Sequence, residues 1–275
     1  FVDFQQDKVK AKGLAVEDQW IVSKMNSLVK EVREAYDSYE YFKVPDALNK
    51  FVLEDLSRTY VKLIRDRVGT KGGNTHAGGR SAEETLNYCL VGLTRLLAPI
   101  TPHFTEYVYQ HFKAPGLPES IHLMGLPEAD QKLINEQLEK EMNLAFEVAQ
   151  ATLALREEKK LRLRWPLNEL VVQSKDGKAI GRAAGILATM CNVKKVSESS
   201  KAPEGEYASK QAGQLFLHLN TAADARLRDE WEVRELVRRV QELRKAAKLQ
   251  PGQKVELLID CDDEKFLKAH QRAVE

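Results

Sequence analysis

Residues 93–112 read LTRLLAPITPHFTEYVYQHF, a stretch that predicts two helices separated by a short turn. Because the residue before a proline avoids the helical region, the first helix is expected to stop at Ala98-Pro99. Thr101 is expected to cap the second helix, with Pro102 already set for its first position.

The residues before this stretch predict further amphipathic helices. Apolar residues spaced by three or four run through 21–39 and again through 48–63, a spacing typical of helices. The glycine-rich segment 69–80 predicts a mobile loop. Ser81 and Glu84 form an S-x-x-E capping box for the helix that follows. Four such helices with short connections predict an antiparallel bundle over about residues 20–113.

The chain changes character after a segment rich in proline and glycine at 114–130, which we interpret as a linker. Long helices are predicted at about 131–160 and 229–248, with a shorter one near 178–191. Strands are predicted at Leu170–Gln173, Val193–Val196, Leu215–Leu219 and Val255–Asp260. The predicted fold class is therefore α followed by α+β: a helical bundle at 1–125 and a smaller mixed α/β domain at 126–275.

Length and charge narrow the class of protein. The chain has 275 residues, 42 Lys and Arg and 41 Asp and Glu, so a nucleic-acid surface would have to be a local patch. No stretch approaches the roughly 20 apolar residues of a membrane helix. Three distant cysteines favour a reducing compartment. The N-terminus has neither a Met nor an apolar signal core, as in a fragment of a longer protein.

No motif for catalysis, cofactor binding or metal binding emerges from the sequence. The glycine-rich segment lacks the GxxxxGK[ST] of a P-loop, and neither GxGxxG nor GxSxG occurs. The six histidines lie apart, and no CxxC pair is present. Catalytic residues, a cofactor site and a metal site are therefore expected to be absent.

Two basic segments stand out. In REEKKLRLRWP (156–166), the alternation of Leu161–Trp165 predicts an extended segment with Arg162 and Arg164 on one face, beside an indole. Such a face could grip phosphates and stack on a base, although a charged edge strand is an equal alternative.

The second basic segment is the helix WEVRELVRRVQELRKAAK (231–248). Its polar stripe holds Arg234, Arg238, Gln241 and Lys245, opposite an apolar stripe from Val233 to Ala247. Glu235 and Arg239 are predicted to pair along the helix. The polar stripe could face RNA, but a solvated helix face is the alternative that charge alone favours.

Several segments in order resemble the C-terminal part of isoleucyl-tRNA synthetases of the archaeal or eukaryotic type. WIVSKMNSLVKEV (20–32), LSRTYVKLIRDRV (56–68) and residues 93–112 are similar to the anticodon-binding bundle of class Ia synthetases. LRLRWPL (161–167), CNVKKV (191–196) and VRELVRRVQELRKAAKL (233–249) narrow the resemblance to the isoleucyl enzymes. The catalytic and editing domains of that family have no counterpart here.

The resemblance implies a cytoplasmic, tRNA-binding portion of an ATP-dependent ligase. Its partners would be an isoleucine-accepting tRNA and the missing catalytic domain, which would hold ATP and Mg; no membrane is expected. The residues expected to contact tRNA are Arg65, Arg67, Lys71 and Arg80 in the first domain, and Arg162, Arg164, Trp165, Arg234, Arg238 and Lys245 in the second.

Alternatives remain for the residues and for the chain. Arg65 and Arg67 could instead brace the bundle through buried carboxylates. Trp165 could be a packed core residue. The chain could be an RNA-binding paralogue without catalysis, or a protein-interaction module of a synthetase complex.

Overall fold

A computed structural model describes residues 13–68, 79–175, 179–250 and 253–256, together with residues 3, 8, 9 and 259. The chain forms two compact units. The first comprises Phe1–Ala145 with Ile180–Ile186, and the second comprises Phe146–Ala179 with Leu187–Glu275. The predicted domain boundary between residues 125 and 126 stays a prediction.

The first unit is helical, as the apolar spacing predicts. Its elements, with the helix α6 that continues into the second unit, are α1 (Val16–Asp37), α2 (Lys43–Lys50), a π-helical segment (Phe51–Tyr60), α3 (Val61–Val68), α4 (Gly79–Leu97), α5 (Pro102–Phe112), a 3-10 turn (Ile121–Leu123) and α6 (Glu136–Glu158). Helix α1 buries an apolar stripe that includes Trp20, Ile21, Met25 and Val32. Of the predicted loop at 69–80, residues 69–78 lie outside the described residues, and Gly79 and Arg80 already belong to α4.

Three predictions concerned the ends of α4 and α5, and only the one that depends on adjacent residues is confirmed. Helix α4 ends at Leu97, just before Pro99, as predicted. The predicted capping box is wrong: α4 already begins at Gly79, and the Ser81 hydroxyl donates to Asp18 at 3.2 Å. Thr101 is the N-cap residue of α5, but its hydroxyl donates to the Leu97 carbonyl and does not cap the new helix.

The second unit contains a mixed four-stranded sheet in the order β2-β1-β4-β3. Its strands are β1 (Leu167–Gln173), β2 (Val193–Ser199), β3 (Tyr207–Ala212) and β4 (Leu215–Asn220). β1 is parallel to β2 and antiparallel to β4, and β3 pairs with β4 in a hairpin. Three predicted strands are confirmed and β3 was not predicted. Of the predicted strand at 255–260, Val255 and Glu256 have no regular secondary structure; the remainder, apart from Ile259, lies outside the described residues.

The two faces of the sheet differ in polarity. Leu170, Val172, Leu217 and Leu219 share one face by register and are fully buried. The opposite face carries His218, whose ring lies between the Ser209 hydroxyl at 2.8 Å and the Gln173 amide oxygen at 2.9 Å. Burial lowers the pKa of His218.

A 3-10 turn (Gly181–Ala183) and the helices α7 (Ala184–Cys191) and α8 (Ala225–Ala246) complete the described elements. The predicted apolar stripe of α8 is only partly buried, because Val233 is covered while Leu243 is 65% exposed. Among the described residues, no helix is both long and apolar enough to cross a membrane.

Candidate nucleic-acid interface

The basic segment at 161–166 is a turn and not the predicted extended strand. The reason is Arg156, a buried residue near the end of α6 to which the sequence analysis gave no role of its own within the basic segment. Its guanidinium donates to the carbonyls of Arg162 at 2.7 Å, of Trp165, and of Cys191 at 3.2 Å. These bonds curl the segment around one cation, because a carbonyl bound inside the turn cannot join a sheet.

Other side chains hold the remaining carbonyls of this turn. Asn192 donates to Leu163 at 2.7 Å, Arg234 to Arg164 at 3.1 Å, and the indole of Trp231 to Pro166 at 2.7 Å. These bonds fix the backbone of the turn, from which Arg162 and Arg164 project.

Glu235 of α8 gathers the side chains of the turn. Its Oε1 accepts from Arg162 Nη1 at 2.9 Å, from Arg164 Nε at 2.8 Å and from Trp165 Nε1 at 3.1 Å. Burial alone would raise the pKa of Glu235, but the hydrogen bonds from Arg162 and Trp165 and the two guanidinium charges lower it. The predicted pairing of Glu235 with Arg239 is therefore replaced by contacts with the turn.

Trp165 is part of the packing of this cluster. Its ring stacks on Trp231, with centroids 4.8 Å apart and an interplanar angle of 9°, and the Arg162 guanidinium lies 5.4 Å from its centroid. This arrangement favours the packing alternative for Trp165 over base stacking.

The α8 arginines extend the same surface. Arg234 pairs with Glu230 at 3.0 Å, and Arg238 pairs with Glu242 at 2.6 Å and lies 3.9 Å from Glu235. Lys245 is exposed in the last turn of α8. We call Arg162, Arg164, Arg234, Arg238 and Glu235 the arginine cluster. With Glu230 and Glu242, the partners of Arg234 and Arg238, the surface holds four cations and three carboxylates.

The arginine cluster keeps donors for a ligand. Arg162 directs Nη1 at Glu235, and Arg164 directs Nε there, while each guanidinium carries five N–H donors. The Arg162 side chain is 53% exposed. Unused N–H groups on an exposed, oriented guanidinium suit the bidentate recognition of phosphate.

Arg67, predicted from the sequence as a tRNA contact, lies in a buried network of the first unit. It donates to both oxygens of Asp18, at 2.9 and 2.6 Å, and to Glu17 at 2.6 Å. Asp18 is fully buried and also accepts from Tyr60 and Ser81. Burial alone would lower the pKa of Arg67, but Asp18 and Glu17 raise it. Burial beside Asp18 raises the pKa of Tyr60 far above its usual range. This geometry favours the bracing alternative for Arg67.

The other residues predicted in the first unit are not gathered with Arg67. Arg65 is exposed on α3, and Arg80 is exposed at the start of α4 with Glu84 at 3.2 Å. Lys71 lies outside the described residues. The structure therefore brings together four of the predicted arginines, all in the second unit.

The structural roles of three residues escaped the sequence reasoning. Arg156 and Asp18 are buried charges, and Glu235 is the common acceptor of the arginine cluster. One signal was available for Asp18, which is a carboxylate two residues before Trp20 on the apolar face of α1. For Arg156 and Glu235 the partners come from distant segments, which no local pattern reveals.

The part of the chain that the structure describes contains neither a metal-binding cluster nor a reactive cysteine. No group of three or more His, Cys, Asp or Glu side chains there could hold a metal ion. Cys89 and Cys191 are free and buried. Burial raises the pKa of Cys191 to about 11, so its thiol stays protonated at neutral pH and is a poor nucleophile.

Comparisons with known proteins bear on this geometry. A family model described as the anticodon-binding domain of tRNA ligase matches residues 18–172. The isoleucine–tRNA ligase of Methanopyrus kandleri is 40% identical over 192 residues, which are 70% of this chain and 18% of that protein. The isoleucine–tRNA ligase of Pyrococcus horikoshii is 36% identical over 200 residues, 70% of this chain and 19% of that protein.

A third relative, the isoleucine–tRNA ligase of Methanospirillum hungatei, is 38% identical over 155 residues, 56% of this chain and 14% of that protein. The chain thus spans less than a fifth of the length of these curated relatives. The matches confirm the resemblance to the anticodon-binding part of isoleucyl-tRNA synthetases that the sequence motifs indicated. The chain therefore belongs to the family of anticodon-binding domains of tRNA ligases.

Proposed function

We propose that this chain docks on the anticodon stem and loop of an isoleucine-accepting tRNA, as the tRNA-binding portion of an isoleucyl-tRNA synthetase. Family membership supports the anticodon as the target, and the names of the relatives support isoleucine. The observation that carries the proposal is the arginine cluster: exposed guanidinium groups fixed in direction by Glu235 and by the carbonyls of a turn.

In this proposal the arginine cluster binds tRNA phosphates and sets the register of the complex. Phosphate contacts position a protein on RNA without reading the sequence, which requires contacts to base edges in the splayed anticodon loop. Ordering a mobile arginine on binding costs about 0.5–1.5 kcal/mol of conformational free energy. Because Glu235 already holds Arg162 and Arg164, tRNA binding would lose less of this free energy than it would with two mobile arginines.

The first unit would supply the remaining contacts. We infer that its helices form an antiparallel bundle, the arrangement that short connections favour. Arg65, Lys71 and Arg80 are the proposed contacts there, with Lys245 as a further phosphate contact in the second unit. Arg65 and Arg80 are exposed, and that exposure supports their assignment.

The chemistry of the ligase would lie outside these residues. The catalytic domain of the same protein would bind ATP and Mg and would attach isoleucine to the tRNA, in the cytoplasm. Because no catalytic motif occurs in the sequence, this chain contributes recognition and orientation to that reaction.

The test is equilibrium binding of the chain to an isoleucine tRNA and to the same tRNA with a swapped anticodon, at two salt concentrations. We expect tighter binding to the isoleucine anticodon. We also expect both affinities to fall with salt, with a log–log slope that grows by roughly 0.7–0.9 for each phosphate contact.

The other outcomes discriminate between functions. Equal binding to both tRNAs would reduce the chain to a phosphate-binding module without anticodon specificity. Binding without a salt slope, or no binding at either salt, would contradict the role of the arginine cluster and favour a protein-interaction module.

A further inference from the structure

Arg162 is held on two sides, by an aromatic ring and by a carboxylate. Its guanidinium lies over the Trp165 ring, 5.4 Å from the centroid, and its Nη1 donates to Glu235 at 2.9 Å. The Arg162 carbonyl accepts from Arg156 at 2.7 Å, so the backbone at this position is bound as well. Arg162 therefore has a defined orientation, although its side chain is 53% exposed.

The ring that contacts Arg162 is itself fixed. Trp165 stacks on Trp231 with an interplanar angle of 9°. The Trp165 indole donates to Glu235 at 3.1 Å, and the Trp231 indole donates to the Pro166 carbonyl at 2.7 Å. Because both indole N–H groups are used inside the protein, the two rings serve as a platform for the guanidinium and offer no N–H to a ligand.

This setting distinguishes Arg162 from the rest of the arginine cluster. Arg164 shares Glu235 but is only 31% exposed. Arg234 and Arg238 each have a further carboxylate partner on α8. Of these four arginines, all of them described, Arg162 is the most exposed and the one whose guanidinium lies over an aromatic ring.

A guanidinium that rests on a ring has a second flat face. With one face over Trp165 and Nη1 on Glu235, Arg162 keeps the opposite face and its remaining N–H groups for a ligand. Phosphate oxygens bind the N–H edges of a guanidinium, whereas flat aromatic systems stack on its faces. The exposed face therefore suits a ligand group different from the phosphate that the N–H groups suit.

An unpaired nucleobase matches this face. Bases in a duplex already stack on one another, whereas the bases of an RNA loop can splay out and stack on aromatic rings or guanidinium planes. We propose that the exposed face of Arg162 stacks on one unpaired base of the tRNA, with Trp165 and Trp231 as its support; this inference rests on the proposed function. Since every base has a π face, the subsite recognises that a base is unpaired and not which base it is.

The test measures binding of this chain to an anticodon stem-loop RNA, and to a series in which each unpaired nucleotide in turn is abasic. One abasic position should weaken binding to the wild-type chain by about fivefold or more, the lower end of the effect of base stacking. Arg162→Lys keeps the charge and removes the flat face, so it should weaken binding to the intact RNA by a similar factor at an unchanged salt slope. The same abasic position should then cause no further loss.

Arg164→Lys is the matched control, because Arg164 lies in the same turn and shares Glu235. In that variant the abasic position should weaken binding by the same factor as in the wild-type chain. Arg162→Lys leaves the carbonyl of residue 162 bonded to Arg156, so it should fold, and its thermal unfolding midpoint checks this.

Two results would overturn the stacking proposal alone: an abasic penalty that persists in full in Arg162→Lys, or no abasic position that weakens binding to the wild-type chain. Salt-dependent binding of the intact RNA would leave the proposed function standing in both cases. If the wild-type chain does not bind the intact stem-loop at all, both proposals fail. Equal binding to a swapped anticodon contradicts anticodon specificity only, since stacking accepts any base.

Discussion

The Arg67 network and the arginine cluster are built from the same two groups, guanidinium and carboxylate, yet their surroundings differ. Around Asp18 the carboxylate is fully buried and the Arg67 side chain is 16% exposed. Around Glu235 both arginines are partly open to water, and cations outnumber the carboxylate. The first arrangement satisfies its charges internally, whereas the second leaves N–H donors for a ligand.

The difference teaches that burial, more than residue type, separates a structural arginine from a binding arginine. Removing one partner of a buried ion pair strands the other charge in a poorly solvated place. Removing one partner of an exposed pair leaves a charge that water can solvate. Loss of an arginine should therefore lower stability strongly in the Arg67 network and only slightly in the arginine cluster.

The largest expected effect is that of Arg67→Leu. It strands the buried carboxylate of Asp18 and should lower the free energy of unfolding of the first unit by about 3–5 kcal/mol. Urea unfolding followed by hydrogen exchange of α1 amides measures this loss. Arg58→Gln, which removes an exposed pair with Glu54, is the matched control and should change stability by less than about 1 kcal/mol. Equal effects of the two substitutions would refute the structural role of Arg67.

The next largest effect is expected for Arg156→Lys. An ammonium keeps the charge but cannot reach the carbonyls of Arg162, Trp165 and Cys191 together. The second unit should lose about 1.5–3 kcal/mol, since hydrogen bonds to charged groups are of that size. The affinity for tRNA should fall as well, because the turn no longer directs Arg162 and Arg164. A variant with full stability and full affinity would show that Arg156 does not shape the turn.

A smaller effect is expected for Arg162→Gln and Arg164→Gln, each made singly. Each should weaken tRNA binding by about tenfold, equivalent to about 1.4 kcal/mol, and reduce the log–log salt slope by about 1. Thermal unfolding should shift little, because both ion pairs are partly open to water. Loss of stability without loss of affinity would show that the arginine cluster stabilises the fold and does not bind tRNA.

The smallest effect concerns pH and His218, a buried group without a charged partner among its described hydrogen bonds. Because its folded pKa is lowered, the unfolded chain binds the proton more readily, so stability is present above the unfolded pKa near 6.5 and is lost as pH falls below it. The dependence of the free energy of unfolding on pH between about 7 and 5 should flatten in His218→Gln. An unchanged pH dependence would show that His218 does not contribute to it.

The sequence predicted those features of the fold that depend on neighbouring residues, and missed those that depend on distant ones. The end of α4 before Pro99 follows from a steric rule between neighbouring residues. Strand β3 escaped because Tyr207–Ala212 is mostly polar or small, and its position depends on pairing with β4. The capping role of Ser81 failed because Asp18, 63 residues away, takes its hydroxyl.

In the candidate site, too, the sequence predicted the residue types but not their partners from distant segments. The sequence identified Arg162, Arg164, Arg234 and Arg238 as chemically suited to phosphate, and the structure brings them together. It could not show that Arg156 would curl the segment, or that Glu235, more than 70 residues away from Arg162, would orient it. Spacing along the chain carries no information about a partner from another element, so burial and pairing had to come from the fold.

The most direct test of the central claim compares Arg67→Leu with the double variant Arg162→Gln, Arg164→Gln by tRNA affinity and unfolding midpoint measured on the same samples. We predict that the double variant loses affinity and salt slope at an unchanged midpoint. Arg67→Leu should have a lower unfolding midpoint, while its folded fraction binds tRNA with the original affinity. The reverse pattern, in which Arg67→Leu abolishes binding at full stability and the double variant binds normally, would contradict the account.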